Sequence, residues 1–310
     1  RIPVVKEAAS ITLKLVVLGA PFMAVMFFLF PRFAPLWSLQ EQKMISQTGL
    51  SSDMRVGDMG AISRDNKIIL RLQMDAPLID SKDIYLRSYV LPRFDGRTWT
   101  GDRATDSALP KPQAWLDAPD HVGRAYTLIP EGAKPYSARV AADLRIDAQS
   151  QSRSYLQAAA ALPAGSNPRT SQWIRGLQED VPFKNFGATD WSNYLLGVLQ
   201  TGGYRYTLEP GTYGLHIVDE LLFDRKLGFC EHFATAYVVA MRSLGVPARV
   251  VTGYQGAEIN PIDGLQVVRN SNAHAWAEYW NGAWQRAPPR GAPIILDPAG
   301  LSFGLHRPTP

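Results

Sequence analysis

Hydrophobic and polar positions change their rhythm three times along the chain. The first rhythm is unbroken. Ile11 to Phe30 reads ITLKLVVLGAPFMAVMFFLF, with one charge, Lys14, near its start. A helix needs about twenty such residues to cross a bilayer. Lys14 can reach the interface along its own stem, Pro21 is tolerated in membrane helices, and Pro31-Arg32 ends the run. The pattern predicts one transmembrane helix within residues 1–34. Phe-Leu-Phe-Pro-Arg is not the small-residue site that follows a signal peptide. Arg1 and Lys6 predict a cytoplasmic N-terminal side, with the rest of the chain outside. A first residue that is Arg rather than Met predicts a piece of a longer product.

The second rhythm is alternation. Residues 35–65 form a connector rich in turn formers. Ile68–Met74 and Ile84–Leu91 then read as strands, Asp95-Gly96 as a turn, and 124–129 and 136–140 as further strands. Residues 66–160 therefore predict a β-rich domain, without a constellation that suggests chemistry. Residues 161–168, with Pro163, Gly165 and Pro168, read as a linker.

The third rhythm is helical, with one strand of consequence. Thr170 is placed to cap a helix over 171–177, and Asp190 to open one that closes at Gly202-Gly203. Phe233, Tyr237, Ala240, Met241 and Leu244 share one face of a helix over 231–244, which Gly245 and Pro247 stop. Cys230, the chain's one cysteine, falls on the core side of its first turn. A lone cysteine is most often a small buried hydrophobe. At a helix start, however, unpaired N–H groups and the dipole favour thiolate, and in an oxidising compartment a free thiol is a liability unless it reacts. A thiolate nucleophile needs a base. His274 is the candidate, on a strand whose alternation puts His274, Trp276, Glu278 and Trp280 on one face. His232 points elsewhere, His121 and His216 sit in loops, and His306 lies in a terminal tail.

Composition narrows the picture. Hydrophobic residues at 46% against 19% charged suit a folded protein. A net charge of +4 without a basic block argues against nucleic acid. One cysteine excludes an internal disulfide and multi-thiolate zinc sites. The acidic residues lack the spacing of a calcium loop. No metal or organic cofactor is expected.

Three blocks carry a resemblance: Gly228-Phe229-Cys230-Glu231-His232-Phe233-Ala234, then Arg242 to Tyr254 (RSLGVPARVVTGY), then Ala273-His274-Ala275-Trp276-Ala277-Glu278. Together they resemble the bacterial transglutaminase-like superfamily. The apolar span, Pro35-Leu36-Trp37, Thr48-Gly49-Leu50 and Phe94-Asp95-Gly96-Arg97-Thr98-Trp99 extend the likeness to the membrane-anchored periplasmic transglutaminases of the TgpA type. The resemblance implies an α+β fold: a papain-like transglutaminase core over 169–310, preceded by the β-rich domain and one N-terminal transmembrane helix, with further membrane helices upstream. It implies a Cys-His-Asp triad, acyl transfer from glutamine to a primary amine, peptide or protein substrates, and an inner-membrane anchor at residues 11–30 with periplasmic domains.

The triad's third member departs from the family pattern, in which Trp is followed shortly by Asp-Pro-Thr. Here Trp284 is followed by Pro288 where the acid belongs, and proline cannot accept the histidine N–H through its side chain. Asp297, in Asp297-Pro298, is the candidate acid. Asn272 or a backbone carbonyl orienting His274, or an aberrant chain end from Pro288 on, are the other readings. Cys230, His274 and Asp297 are the expected catalytic residues, with Tyr206 and Trp276 as candidate second oxyanion donors beside the Cys230 N–H. Two other functions stay open: a cysteine peptidase or amidase using water, and an inactive membrane-anchored scaffold.

Overall fold

The computed structural model describes residues 2–29, 50–74, 84–101, 115–117, 125–131, 135–139 and 152–287. Its first unit, Arg1–Gln47, contains helix α1, Ile2–Leu29, with Pro21 inside it. Its exposed side chains include Ile11, Leu13, Leu15, Leu18, Phe22 and Met23. Among the described residues no helix is long and apolar enough to cross a membrane. The predicted span is a helix here.

The second unit, Thr48–Pro310, is built on two antiparallel five-stranded sheets. One has the order β15-β14-β11-β3-β6, comprising β3 (Tyr85–Leu91), β6 (Trp115–Asp117), β11 (Ala248–Gln255), β14 (Ala273–Trp280) and β15 (Trp284–Ala287). The other has the order β12-β13-β2-β7-β8, comprising β2 (Ile68–Met74), β7 (Ala125–Pro130), β8 (Tyr136–Arg139), β12 (Glu258–Ile259) and β13 (Gln266–Arg269). Strands from the segment read as β-rich and strands from the segment read as catalytic thus share both sheets. The boundary drawn at 161–168 divides the sequence without dividing the core.

Each sheet follows from its residues. On β2, Leu70 and Leu72 alternate into the core while Gln73 faces out. β11 is central and buried from Ala248 to Tyr254. A strand covered on both faces carries a near-continuous apolar run. The turn at Asp95-Gly96 joins β4 (Arg93–Phe94) to β5 (Thr98–Thr100), which also pairs with β1 (Asp53–Arg55). The Asp95 carboxylate accepts the N–H groups of Arg97 and Thr98 at 2.8 and 2.6 Å. The hairpin delivers Trp99, fully buried, whose indole N–H donates to Thr235 at 2.9 Å.

Among the described residues the second unit has four α-helices of eight residues or more: α2 (Arg153–Ala160), α3 (Pro168–Glu179), α4 (Ala188–Thr201) and α5 (Cys230–Ser243). α5 packs on β14 and β11, with α3 and α4 against it. Its residues are buried from Cys230 through Arg242, so it is a central helix, where the sequence suggested a single apolar face. Alanines 273, 275 and 277 on β14 leave room for it. The helix stops as expected. Gly245 takes φ +80°, and the N–H groups of Gly245 and Val246 close on the carbonyls of Arg242 and Met241. Arg242 fastens this end by donating to the carbonyls of Ala248, Ala161 and Pro92.

The predicted Thr170 cap is replaced by a tertiary one. α3 starts three residues earlier, at Pro168 after Asn167, and the buried Asp219 accepts the N–H groups of Arg169 and Thr170 and the Thr170 hydroxyl. Asp190 sits one turn inside α4 and accepts the Gly187 N–H at 2.9 Å. The strand expected over 204–208 is reduced to β9 (Arg205–Tyr206), paired in parallel with β10 (Leu227–Gly228).

Candidate active site

β10 runs straight into α5, and Phe229, in extended conformation, is the helix cap. This places Cys230 at the first helical position, fully buried. β14 brings His274 from the adjacent sheet, directly opposite Gly253 on β11. Cys230 and His274 line one cleft of about 500 Å³, measured to its open mouth, together with Phe233, Trp276, Tyr85 and Arg286. The two residues singled out in the sequence are therefore brought together.

Their resting state differs from the thiolate expected at the helix start. The Cys230 thiol donates to Oε2 of Glu231 at 3.4 Å, and among the described residues no hydrogen bond joins it to His274. The His274 ring lies parallel to the Trp276 ring, with centroids 6.4 Å apart. Burial, above all, pushes the Cys230 thiol well above its usual range, and the negative charge of Glu231 pushes the same way. The Ala275 backbone N–H, directed at the sulfur, works against them. Burial and then the Arg286 guanidinium pull His274 down to about 4. The helix start was expected to favour thiolate, but a helix terminus contributes about 0.3–1 kcal/mol, up to about 2 when partly buried. Desolvation of a fully enclosed thiol outweighs that. At neutral pH the site holds a thiol and an uncharged imidazole.

Glu231 is itself unusual. It is 1% exposed, and burial raises its carboxyl to about 7, opposed by hydrogen bonds from its own N–H, the Cys230 thiol and the Gly57 N–H. His232 Nδ1 lies 3.7 Å from its other oxygen, which is not an ion pair. Burial first, and Arg225 second, hold His232 near 4, and its Nδ1 accepts the Phe229 N–H at 3.4 Å. His232 thus braces the helix start and stacks obliquely on Tyr213.

The remaining candidates divide. Trp276 lines the cleft, while Tyr206 packs on the Phe229 and Phe233 rings. Asn272 spends its side-chain oxygen on the Arg269 N–H at 2.8 Å and belongs to that turn. His216 accepts the Asn167 N–H. Asp297 and Pro288, with His121 and His306, lie outside the described residues. No group of three or more His, Cys, Asp or Glu is placed to hold a metal among the described residues.

Sequence reasoning did not find Glu231, Arg286, Tyr85 or the Ala275 N–H. The signal for Glu231 was adjacency to Cys230. The others depend on strand pairing that no local pattern reveals. Farther along β14, Glu278 is buried between Arg87 at 2.6 Å and Arg249 at 2.9 Å, and Arg249 also bonds the Tyr155 hydroxyl. This network fixes the strand four residues beyond His274.

A mixed helix-and-sheet core with a helix-borne Cys230 facing a strand-borne His274 defines a transglutaminase-like protein. Comparison with known proteins bears this out. The transglutaminase-like superfamily matches residues 188–289, and the TgpA N-terminal domain family matches residues 4–174. The chain belongs to the TgpA-type transglutaminase-like proteins. A protein-glutamine gamma-glutamyltransferase of Pseudomonas aeruginosa is 30% identical over 298 residues, covering 84% of this chain and 43% of that protein. The chain thus spans less than half the length of that relative. YebA of Bacillus subtilis is 43% identical over 67 residues, 20% of this chain and 9% of that protein. The crystal structure of the periplasmic domain of Pseudomonas aeruginosa TgpA superposes with a TM-score of 0.61 at 25% identity, covering 77% of this chain and 92% of that one.

Proposed function

We propose that this chain carries the acyl-transfer centre of a protein-glutamine gamma-glutamyltransferase, with Cys230 as nucleophile and His274 as its base. The observation that carries the reading is the meeting of these two side chains in one open cleft. The S–H bond turns toward His274, which takes the proton as sulfur attacks the carboxamide carbon of a glutamine side chain. Ammonia leaves with that proton, and a thioester remains. A primary amine then attacks, gives up a proton through His274, and the sulfur departs with the isopeptide bond formed. The Cys230 N–H, at a helix start, and the Ala275 N–H, directed at the sulfur, are the donors offered to the oxyanion. Asp297 is kept as the candidate orienter of His274. The solved periplasmic domain of a relative supports a periplasmic location for the region it covers, while an inner-membrane anchor at residues 11–30 rests on their apolar run alone.

A second reading is favoured by Pro288 at the acid's place and by the Arg286 charge beside His274. With an imidazole that resists protonation, transfer is slowed and water competes as acceptor, or the centre is inert and the chain serves as a scaffold. Incubating the full chain with a glutamine donor peptide and a labelled primary amine, beside C230A, separates these. Incorporation lost in C230A supports transfer. Ammonia release without incorporation supports hydrolysis. Neither, in the wild-type chain, overturns both enzyme readings.

A further inference from the structure

Two buried carboxylates in the core stand in opposite circumstances. Glu278 lies between two guanidinium groups. Glu231 has no cation against it among the described residues. It receives a thiol, the Gly57 N–H and its own N–H, with Asp58 adding a second negative charge nearby. A buried carboxylate costs several kcal/mol unless paired or protonated, so an unpaired one beside the only thiol calls for an account.

We propose that Glu231 is a positioning residue for the nucleophile: its enclosed carboxylate keeps the proton on the Cys230 sulfur and directs the S–H bond away from His274, so that the resting site holds an unreactive thiol. Three observations converge on this. The thiol donates to Oε2 of Glu231. The carboxylate is fixed in place by Gly57, which lies far upstream in sequence, and by the first turn of α5. The negative charge adjoins the sulfur, and thiolate formation there would place two anions in contact. For reaction, S–H rotates about the Cβ–Sγ bond from Oε2 to the His274 ring, and the proton passes to nitrogen as sulfur attacks. Because the thiolate is the form that oxidises, the same contact guards the sulfur between turnovers.

The groups facing this pair are Asp58, with Arg55 beside it, His232 with Arg225 beside it, and, across the cleft, His274 with Arg286. None of the cations touches Glu231, so its replacement is read chiefly at the sulfur.

The proposal rests on Cys230 as nucleophile, yet its test needs no turnover. Cys230 is the only cysteine, so alkylation of the full chain by iodoacetamide reports one site. Sulfur displaces iodide, and the thiol proton passes to buffer. Rates are measured from pH 6 to 10 in wild type and E231Q, with thermal unfolding to confirm the fold. E231Q is expected to alkylate about tenfold faster or more at pH 7, its rate–pH midpoint displaced downward by about one unit or more. An unchanged or slower rate overturns the proposal. The wild-type chain supplies a second measurement should E231Q not fold. The single S–H Raman stretch is expected below the position of a free thiol and to move as Glu231 titrates. A band at the free-thiol position overturns the proposal. Absence of amine incorporation bears on the proposed function alone.

Discussion

Gly253 stands opposite His274 in the β11–β14 register, and the Trp276 ring closes over it. A Cβ there would lie 2.8 Å from the indole of Trp276 and 2.1 Å from the carbonyl oxygen of Leu86. The indole could tilt, but the Leu86 carbonyl belongs to a paired strand. Gly253→Ala is therefore expected to cost about 1–3 kcal/mol, as overpacking does. It also tilts the strand that carries His274. Chemical denaturation with an unchanged m-value checks the first effect. Loss of amine incorporation beyond what the unfolded fraction accounts for checks the second.

Glu278 holds Arg87 and Arg249 together where three strands meet, at 0% exposure. Glu278→Gln keeps the shape and removes the charge, leaving two enclosed guanidinium groups facing an amide. Breaking such a network from one side costs about 3–5 kcal/mol. The expected outcome is a large fall in the denaturation midpoint. A double replacement with Arg87→Met is expected to recover part of it, since one uncompensated cation then disappears.

Stability should depend on pH below neutrality in a direction set by opposing groups. His274 and His232 are held near 4 against an ordinary 6.5, so the unfolded chain binds more protons on them. Their contribution is complete above about 6.5 and is lost as pH falls toward 4. Glu231, raised to about 7 from 4.5, acts oppositely: the folded chain binds its proton first, and that contribution is lost as pH rises from 4.5 through 7. Between about 4.5 and 6.5 two histidines outweigh one carboxyl, so the net contribution of these three groups rises with pH there. In E231Q the rise steepens. Denaturation midpoints at several pH values, wild type against E231Q, provide the check. A flat profile in both proteins would contradict the assignments.

Much of the site was legible because its signals are local. The α5 helix, its stop at Gly245 and the β14 alternation follow from periods of 3.6 and 2 and from one positive-φ glycine. Cys230 and His274 follow from their places on those elements. What escaped was tertiary. Thr170 looked like a cap until Asp219 arrived from about fifty residues away. The charge state of Cys230 was misjudged because a helix start is visible in sequence and complete burial is not. The β-rich segment looked separable because alternation reveals strands without revealing partners. Its β3 lies beside β11 in the sheet that carries His274.

That pairing has a kinetic consequence. Val250 on β11 meets Leu91 on β3, so the loop closed by their contact is roughly 160 residues long. Contacts of such span set slow folding, because the closure entropy is lost before the contact is gained. As the ribosome releases the chain, β3 must wait with an open edge until β11 and β14 emerge. Cys230, made shortly before β11, stays outside its enclosed niche for the last part of that interval. The thiol is thus most exposed to oxidation while the protein is being made, before the sheet that shelters it exists.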